Sequence, residues 1–358
     1  MATRTRFSTL EPPRRVLLVR LGALGDVVRT LGALRLIRCT WPDASIAWAV
    51  EESASPLLLA HPDLDNVFVL PRKELQRRAR RAPWTGWSLA SSFVRRLREF
   101  RADLAIDFQG SFKSGLVMRL SGSAVRVGFA APFSREFSHV FATVRADLPA
   151  GSEHRVLRAI RLAEAAGATP GPVKIDLALT ATELEVGKQR VSQLAGSQPL
   201  VALAPWSSRR QAWKRYPAER WADVARGLCA RGARVAILGG PGEEKETAQL
   251  CAAAGPGVFP SGDLGVRELA AFIAACALFV GGDTGPMHIA WAVGRPVVAI
   301  YGPTDPILNA PFGEGHTVLA SAHPTGRHDS DPFPGITPER IVAAASPYLS
   351  QPVLENQR

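Results

Sequence analysis

Short apolar runs alternate with helix-length amphipathic segments along most of this chain, and that alternation limits the folds open to it. Runs rich in β-branched residues occur at 16–20, 46–50, 67–70, 104–108 and 125–129, and again at 200–204, 234–238, 277–281 and 297–301. Amphipathic stretches at 27–39, 88–101, 153–166, 218–230 and 266–275 lie between them. Strands that are apolar throughout, separated by helices, predict parallel sheets covered on both faces. The strands form two groups, with breaks at Pro170-Gly171-Pro172 and at 196–199 between them. The pattern therefore predicts an α/β protein with two doubly wound domains. The expected boundaries are a polar extension over 1–13, a first domain over 14–175, a linking region over 176–198, a second domain over 199–336, and a C-terminal helix and tail over 337–358. Ligands of such sheets bind beyond the carboxyl ends of the strands, so two facing domains would form a cleft.

Charge narrows the choice of partners. The 358 residues carry 43 Lys+Arg and 32 Asp+Glu, a formal net charge of +11. The segment 72–101 contributes most of it, with ten basic residues (Arg72, Lys73, Arg77, Arg78, Arg80, Arg81, Arg95, Arg96, Arg98, Arg101) against Glu74 and Glu99. Trp84, Trp87 and Phe93 are interleaved with them. Arginine with tryptophan suits an anionic membrane surface; the same mixture suits single-stranded nucleic acid, or a solvated helix face beside a core aromatic. Four well-separated cysteines with no C-x-x-C pair exclude a disulfide scaffold or zinc ribbon and fit a reducing compartment. The longest uncharged apolar stretch, 269–282, is shorter than the roughly 20 residues of a membrane-spanning helix. Arg20 and Asp26 interrupt the N-terminal apolar segment, so no secretory signal is expected.

Four turns at strand ends carry candidate chemistry. The first, Leu21-Gly22-Ala23-Leu24-Gly25-Asp26, leads into a helix. Asp26 there is either a dipole-complementing residue of the first turn or a general base at the mouth of the cleft. The strongest is Gly282-Asp283-Thr284-Gly285-Pro286-Met287-His288, where a strand runs into a helix. A glycine-bearing helix N-terminus with a hydroxyl is a diphosphate site; Asp283 suits sugar hydroxyls, and His288 is either a core residue or a ligand contact. Trp206-Ser207-Ser208, followed by Lys214, suits an anionic leaving group. Glu243, after Gly239-Gly240-Pro241-Gly242, suits ribose hydroxyls or the helix dipole. Asp63-Leu64-Asp65 reads as a turn rather than a metal-binding D-x-D. His323, His328, Asp329 and Asp331 read as a loop rather than a metal cluster.

Taken together, VLLVRLGALGDVVRT, WKRYP, GGPGEE and GGDTGPMHIAWAVGRPVVAIYGPTDP resemble the family-nine glycosyltransferases, the bacterial lipopolysaccharide heptosyltransferases. The resemblance runs from about Arg15 to Tyr348, and its D-T-G-x-x-H segment is highly specific. VEES near Val50, IDFQGSFKS and the pair Arg135-Glu136 resemble the heptosyltransferase I branch. The resemblance implies a GT-B fold of two Rossmann-like domains facing across a cleft, the first binding acceptor and the second nucleotide-sugar. It implies an inverting transfer of heptose from ADP-heptose to Kdo on lipid A, without a metal or other cofactor. Asp26 matches the base, Lys214 the diphosphate lysine, and Asp283, Thr284, Gly285 and His288 the donor motif. Glu243 matches a ribose contact, Ser207 and Ser208 hydroxyls near the phosphates, and Lys113 and Arg135 acceptor contacts. The implied partners are ADP-heptose, Kdo-lipid A and an anionic membrane surface, with no nucleic acid. A monomer on the cytoplasmic face of the inner membrane is expected. The sequence departs from the family in a longer stretch between Ser208 and Lys214 (RRQAW) and in the bulk of Trp206.

Overall fold

The structure, a computed structural model, describes residues 11–81, 83–149, 153–322, 329 and 331–349. The chain divides into two compact units, Met1–Ala178 and Leu179–Arg358. In the first, β1 (Arg15–Val19), β2 (Ser45–Glu51), β3 (Asn66–Leu70), β4 (Leu104–Asp107), β5 (Val125–Phe129) and β6 (Val144–Ala146) form one sheet in the order β3-β2-β1-β4-β5-β6. All its pairings are parallel. Its helices are α1 (Leu24–Thr40), α2 (Arg72–Arg81), α3 (Pro83–Glu99), α4 (Phe112–Leu120) and α5 (Arg155–Ala165).

The second unit repeats the topology. Its strands are β7 (Leu200–Ala204), β8 (Arg234–Ile237), β9 (Val258–Pro260), β10 (Leu278–Gly282), β11 (Val297–Tyr301) and β12 (Thr317–Ala320). They run parallel in the order β12-β11-β10-β7-β8-β9, the same order as the first sheet read from the other edge. Its helices are α6 (Ala181–Ala195), α7 (Ala218–Ala230), α8 (Glu244–Ala254), α9 (Val266–Ala275), α10 (Gly285–Ala292), α11 (Pro306–Asn309) and α12 (Pro338–Leu349). Both folds are the expected doubly wound α/β arrangement. The central strands β1, β4, β7 and β10 are buried apart from the first residue of β1 and the last of β10, because helices cover both faces.

In each sheet the strand order reverses once, between β1 and β4 and between β7 and β10. Connections leave these neighbouring strands in opposite directions, which opens a crevice at their carboxyl ends. The loops bordering the two crevices carry Asp26 and Gln109 in one unit, and Ser207 and Asp283 in the other.

Three elements have little apolar signal and were not expected: β6, β9 and β12 are edge strands of three or four residues. The basic segment forms two helices rather than one. RKELQRRARR of α2 has no buried residue, and Leu75 is its one large apolar side chain, so no hydrophobic periodicity marks it. Residues 176–198, read as a linking region with a helical stretch over 182–194, hold α6. Thr180 and Glu183 form its capping box, and Glu183 also pairs with Arg267 of α9. That arginine holds the Glu183 carboxyl at about 2.

Two predictions concern stability. Gly187 of α6 lies against the backbone of α9, where an added Cβ would collide with the Ala271 carbonyl. Gly187→Ala gains about 1 kcal/mol of helix propensity, but overpacking a backbone contact costs up to about 3 kcal/mol. The variant should be destabilised by about 1–2 kcal/mol in urea unfolding; a rise in stability would contradict the close approach.

Asp107, at the end of β4, is the second case. Burial raises its carboxyl to about 6, although it accepts from the Gln109 and Gly110 amides and from Ser114 Oγ. The folded state keeps this proton to a higher pH than the unfolded chain, so the stability it adds is present below about 4 and lost as pH rises toward about 6. Asp107→Asn removes the titration. The stability of wild type relative to this variant should fall across that window and level off above it; a constant difference would refute the assignment.

Candidate active site

The first crevice is built around one carboxylate. Asp26 stands in the first turn of α1, where the turn 21–25 delivers it from the end of β1. Three guanidinium groups meet it. Arg20, which follows β1, forms an ion pair with Oδ2. Arg29, one turn along α1, lies 2.7 Å from Oδ1, and Arg155, at the start of α5, lies 3.6 Å from the same atom. Arg20 is fixed in turn by the Phe108 carbonyl at 2.6 Å, and Gln109 Oε1 accepts from the Leu21 amide at 2.9 Å. The two loops of the switch point are therefore tied to each other.

Beside Asp26 lies a cavity of about 170 Å³, lined by Arg20, Arg29, Arg135, Arg155, Arg158 and Gln109, with Phe129 and Phe133 among its apolar walls. Five arginines and one carboxylate face this space, so its field favours an anion. The Arg158 guanidinium lies 5.4 Å over the Phe133 ring, and its buried Nε has no hydrogen-bond partner. Burial and neighbouring Arg155 push its pKa below the usual arginine value.

In the second unit, β7 and β10 bring Lys214 and Asp283 together. Lys214 Nζ donates to the Asp283 carbonyl at 2.6 Å and lies 3.9 Å from its Oδ2. His288 is buried, and Trp291 Nε1 donates to its Nδ1 at 3.1 Å. An indole N–H can only donate, so Nδ1 is the acceptor and Nε2 carries the proton toward Asp283 Oδ1, at 3.3 Å. Thr284 precedes α10 without capping it, which leaves the first-turn amides of that helix open to an anion. Pro286 at the second helical position lacks an N–H that the helix would not use.

Glu243 is tied down as well. Its carboxylate accepts from the Gly240 amide at 2.9 Å and from Arg215 at 2.8 Å. Arg215 also donates to the Ser207 carbonyl and lies 5.6 Å over the Trp206 ring. A carboxylate offers about four acceptor positions, so capacity for ribose hydroxyls remains.

The expected site residues thus fall into two groups. Asp26 and Arg135 share the first cavity. Lys113 does not line it; its amine pairs with Glu51 at 2.5 Å. Lys214, Asp283, Thr284, Gly285 and His288 form one cluster, and Glu243 sits on the neighbouring β8 loop. Ser207 Oγ is buried and donates to the Gln211 carbonyl at 2.9 Å, while Ser208 is exposed. RRQAW lies in the 3₁₀ turn Arg209–Lys214, whose Gln211 engages both serines. Asp63 and Asp65 are turn fasteners, paired with Arg35 and Arg38. Asp331 pairs with Arg220, and His323 and His328 lie outside the described residues.

Sequence reasoning missed Arg20, Arg29, Arg155, Arg158, Arg215 and Trp291. Arg29 was within reach as the i+3 partner of Asp26. Arg155 and Arg158 lie about 130 residues away, and no local pattern links them to Asp26.

A family model described as glycosyltransferase family 9 (heptosyltransferase) matches residues 90–332. Lipopolysaccharide heptosyltransferase 1 of Pseudomonas aeruginosa is 30% identical over 320 residues, 87% of this chain and 84% of that protein. Lipopolysaccharide heptosyltransferase 2 of Escherichia coli is 25% identical, over 94% of this chain and 99% of that one. Among solved structures, a family 9 glycosyl transferase from Veillonella parvula superposes with a TM-score of 0.77 at 21% identity, covering 94% of this chain and 97% of that one. An E. coli heptosyltransferase solved with ADP gives 0.75 at 24% identity, covering 93% and 99%. The two parallel α/β units are those of the GT-B fold. The chain is a glycosyltransferase and belongs to glycosyltransferase family 9, the family of the heptosyltransferases.

Proposed function

We propose that this enzyme transfers a heptose from ADP-heptose to a Kdo sugar of the lipopolysaccharide inner core, with inversion at the anomeric carbon. The observation that carries the reading is the partly accessible Asp26 carboxylate beside a cavity lined by five arginines. A carboxylate at the wall of an anion-attracting cavity can take the proton of a bound hydroxyl, while the surrounding guanidiniums hold an acidic sugar in place. Arg135 and Arg158 are suited to the carboxylate of such a sugar, since arginine binds carboxylates through paired N–H groups. Lys113, paired with Glu51, joins them if that pair opens.

Departure of ADP needs positive potential at the diphosphate. Lys214 and the open amides at the N-terminus of α10, from Gly285 onward, supply it, with the Thr284 hydroxyl beside them. Ser207 and Ser208 stand near these groups; the Ser207 hydroxyl, held by Gln211, acts chiefly by shaping the loop. Asp283, oriented by His288, accepts from sugar hydroxyls, and Glu243 accepts from ribose. These fixed charges do the work that a bound metal does in D-x-D transferases, so no cofactor is required. The heptosyltransferase 2 relatives favour one alternative, a family 9 enzyme with another donor or acceptor. A screen of ADP- and UDP-sugars on a Kdo-lipid A acceptor distinguishes the two.

No helix among the described residues is long and apolar enough to cross a membrane. The enzyme works, on this reading, as a cytoplasmic monomer held peripherally at the inner membrane. α2, with no buried residue, turns its arginines toward anionic headgroups rather than nucleic acid, and Trp87 of α3 is 75% exposed beside them.

Asp26→Asn should lower transfer at least about a hundredfold while leaving ADP-heptose affinity, measured by calorimetry, unchanged. Loss of donor affinity with normal turnover of bound donor would reassign Asp26. Transfer should persist in excess EDTA; a requirement for added Mg²⁺ would overturn the metal-free reading.

A further inference from the structure

The first unit displays an apolar face that the proposed chemistry does not use. Phe112 and Leu116 stand one turn apart on α4 and are 49% and 37% exposed. Phe137 and Val140, in the segment that follows β5, are 76% and 57% exposed. The two segments are packed together: Phe112 meets Phe141 edge-to-face at 5.2 Å, and Gly115 has no side chain where Phe141 lies against the helix. Glu136 and Phe137 both adopt the left-handed backbone region, at φ 53° and 58°. That region is disfavoured for a bulky side chain, yet here it carries Phe137 outward. The Phe112 amide donates to Glu136 at 3.2 Å, which fastens the segment to the start of α4.

The surroundings indicate what this face meets. Residues 112–120 and 135–145 carry Lys113, Arg119, Arg135 and Arg145 against the single acid Glu136. Arg119, Arg135 and Arg145 are exposed. Arg135 belongs to both features: it lines the Asp26 cavity, and two residues later the chain presents Phe137. The Arg98 side chain of the basic helix α3 donates to the Leu120 carbonyl at the end of α4. Exposed aromatic and aliphatic side chains on segments that also carry exposed arginines match the interface of an anionic bilayer, where rings enter the acyl boundary and guanidiniums meet headgroups.

We infer that Phe112, Leu116, Phe137 and Val140 form a membrane-docking surface that enters an anionic bilayer next to the acceptor cavity. This deepens the reading of a lipid-linked acceptor and rests on it for its purpose, but not for its test. An acceptor whose anionic sugar enters the cavity would keep its acyl chains at this face, so the enzyme would take its substrate without lifting it from the membrane.

The test compares the full-length protein with F137S/V140S, two exposed changes outside the core. Binding is measured by co-sedimentation with vesicles of phosphatidylethanolamine and phosphatidylglycerol that contain no acceptor. Wild type should bind them and not phosphatidylcholine vesicles, and the variant should bind at least about tenfold more weakly. Turnover of an acyl-free, water-soluble acceptor should be unchanged. Equal vesicle binding by both proteins would overturn the inference. So would a shift from dimer to monomer in the variant with no change in vesicle binding, since the face would then join two copies. A protein that binds vesicles as described but transfers no heptose would leave this inference standing and reject the proposed reaction.

Discussion

The reversal of strand order in each parallel sheet is the constraint on which the rest depends. Backbone hydrogen bonding fixes the order β3-β2-β1-β4-β5-β6, and once fixed it forces the connections after β1 and β4 to diverge. The same holds at β7 and β10. The space left at these points cannot be filled by either connection, so it becomes a place where side chains of distant segments meet. Asp26 and Gln109 meet at the first, Lys214 and Asp283 at the second. In both, hydrogen bonds between the two loops fix the geometry: Leu21 to Gln109 in one, Lys214 to the Asp283 carbonyl in the other.

The two crevices treat charge differently. In the first, several arginines surround one carboxylate, and the excess is cationic; the space beside Asp26 attracts acids, which suits the acceptor proposed for it. In the second, the charged groups are matched to one another. The Asp283 carboxylate lies between the Lys214 amine and the His288 N–H, and Glu243 takes Arg215. Matching holds each group in one orientation in partly buried surroundings, where an unpaired charge would be costly. The positive potential that remains comes from the helix N-terminus and is fixed in direction by the backbone. The donor site proposed here would present a pre-oriented surface rather than a general attraction for anions.

Much of the architecture was legible because burial on both faces makes a strand apolar at every position, a signal that needs no partner to be seen. The strands that escaped are β6, β9 and β12, whose edge positions need only three or four residues and tolerate polar ones. α2 escaped for a related reason: with Leu75 its one large apolar side chain, and no residue fully buried, it has no hydrophobic period. Among the candidate site residues, Asp26, Lys214, Asp283 and His288 were picked out because each follows a glycine turn or strand end, or lies near the start of a helix. Ser207 was picked out by the same rule, but its hydroxyl turns to Gln211, a consequence of the local turn Arg209–Lys214.

What the sequence determined by itself was therefore the layered α/β class, the two-part organisation and the positions at which ligand chemistry could sit, because periodicity and turn residues are local properties. The fate of each polar group was decided by tertiary structure. Arg155 and Arg158 join Asp26 only because α5 packs against α1 in the first unit. The tautomer of His288 depends on where Trp291 directs its N–H. Lys113 turns to Glu51 because β2 ends beside α4. Electrostatic and hydrogen-bond partners are set by distance in space, and in a parallel sheet the nearest neighbours in space are separated by a whole helix or more along the chain.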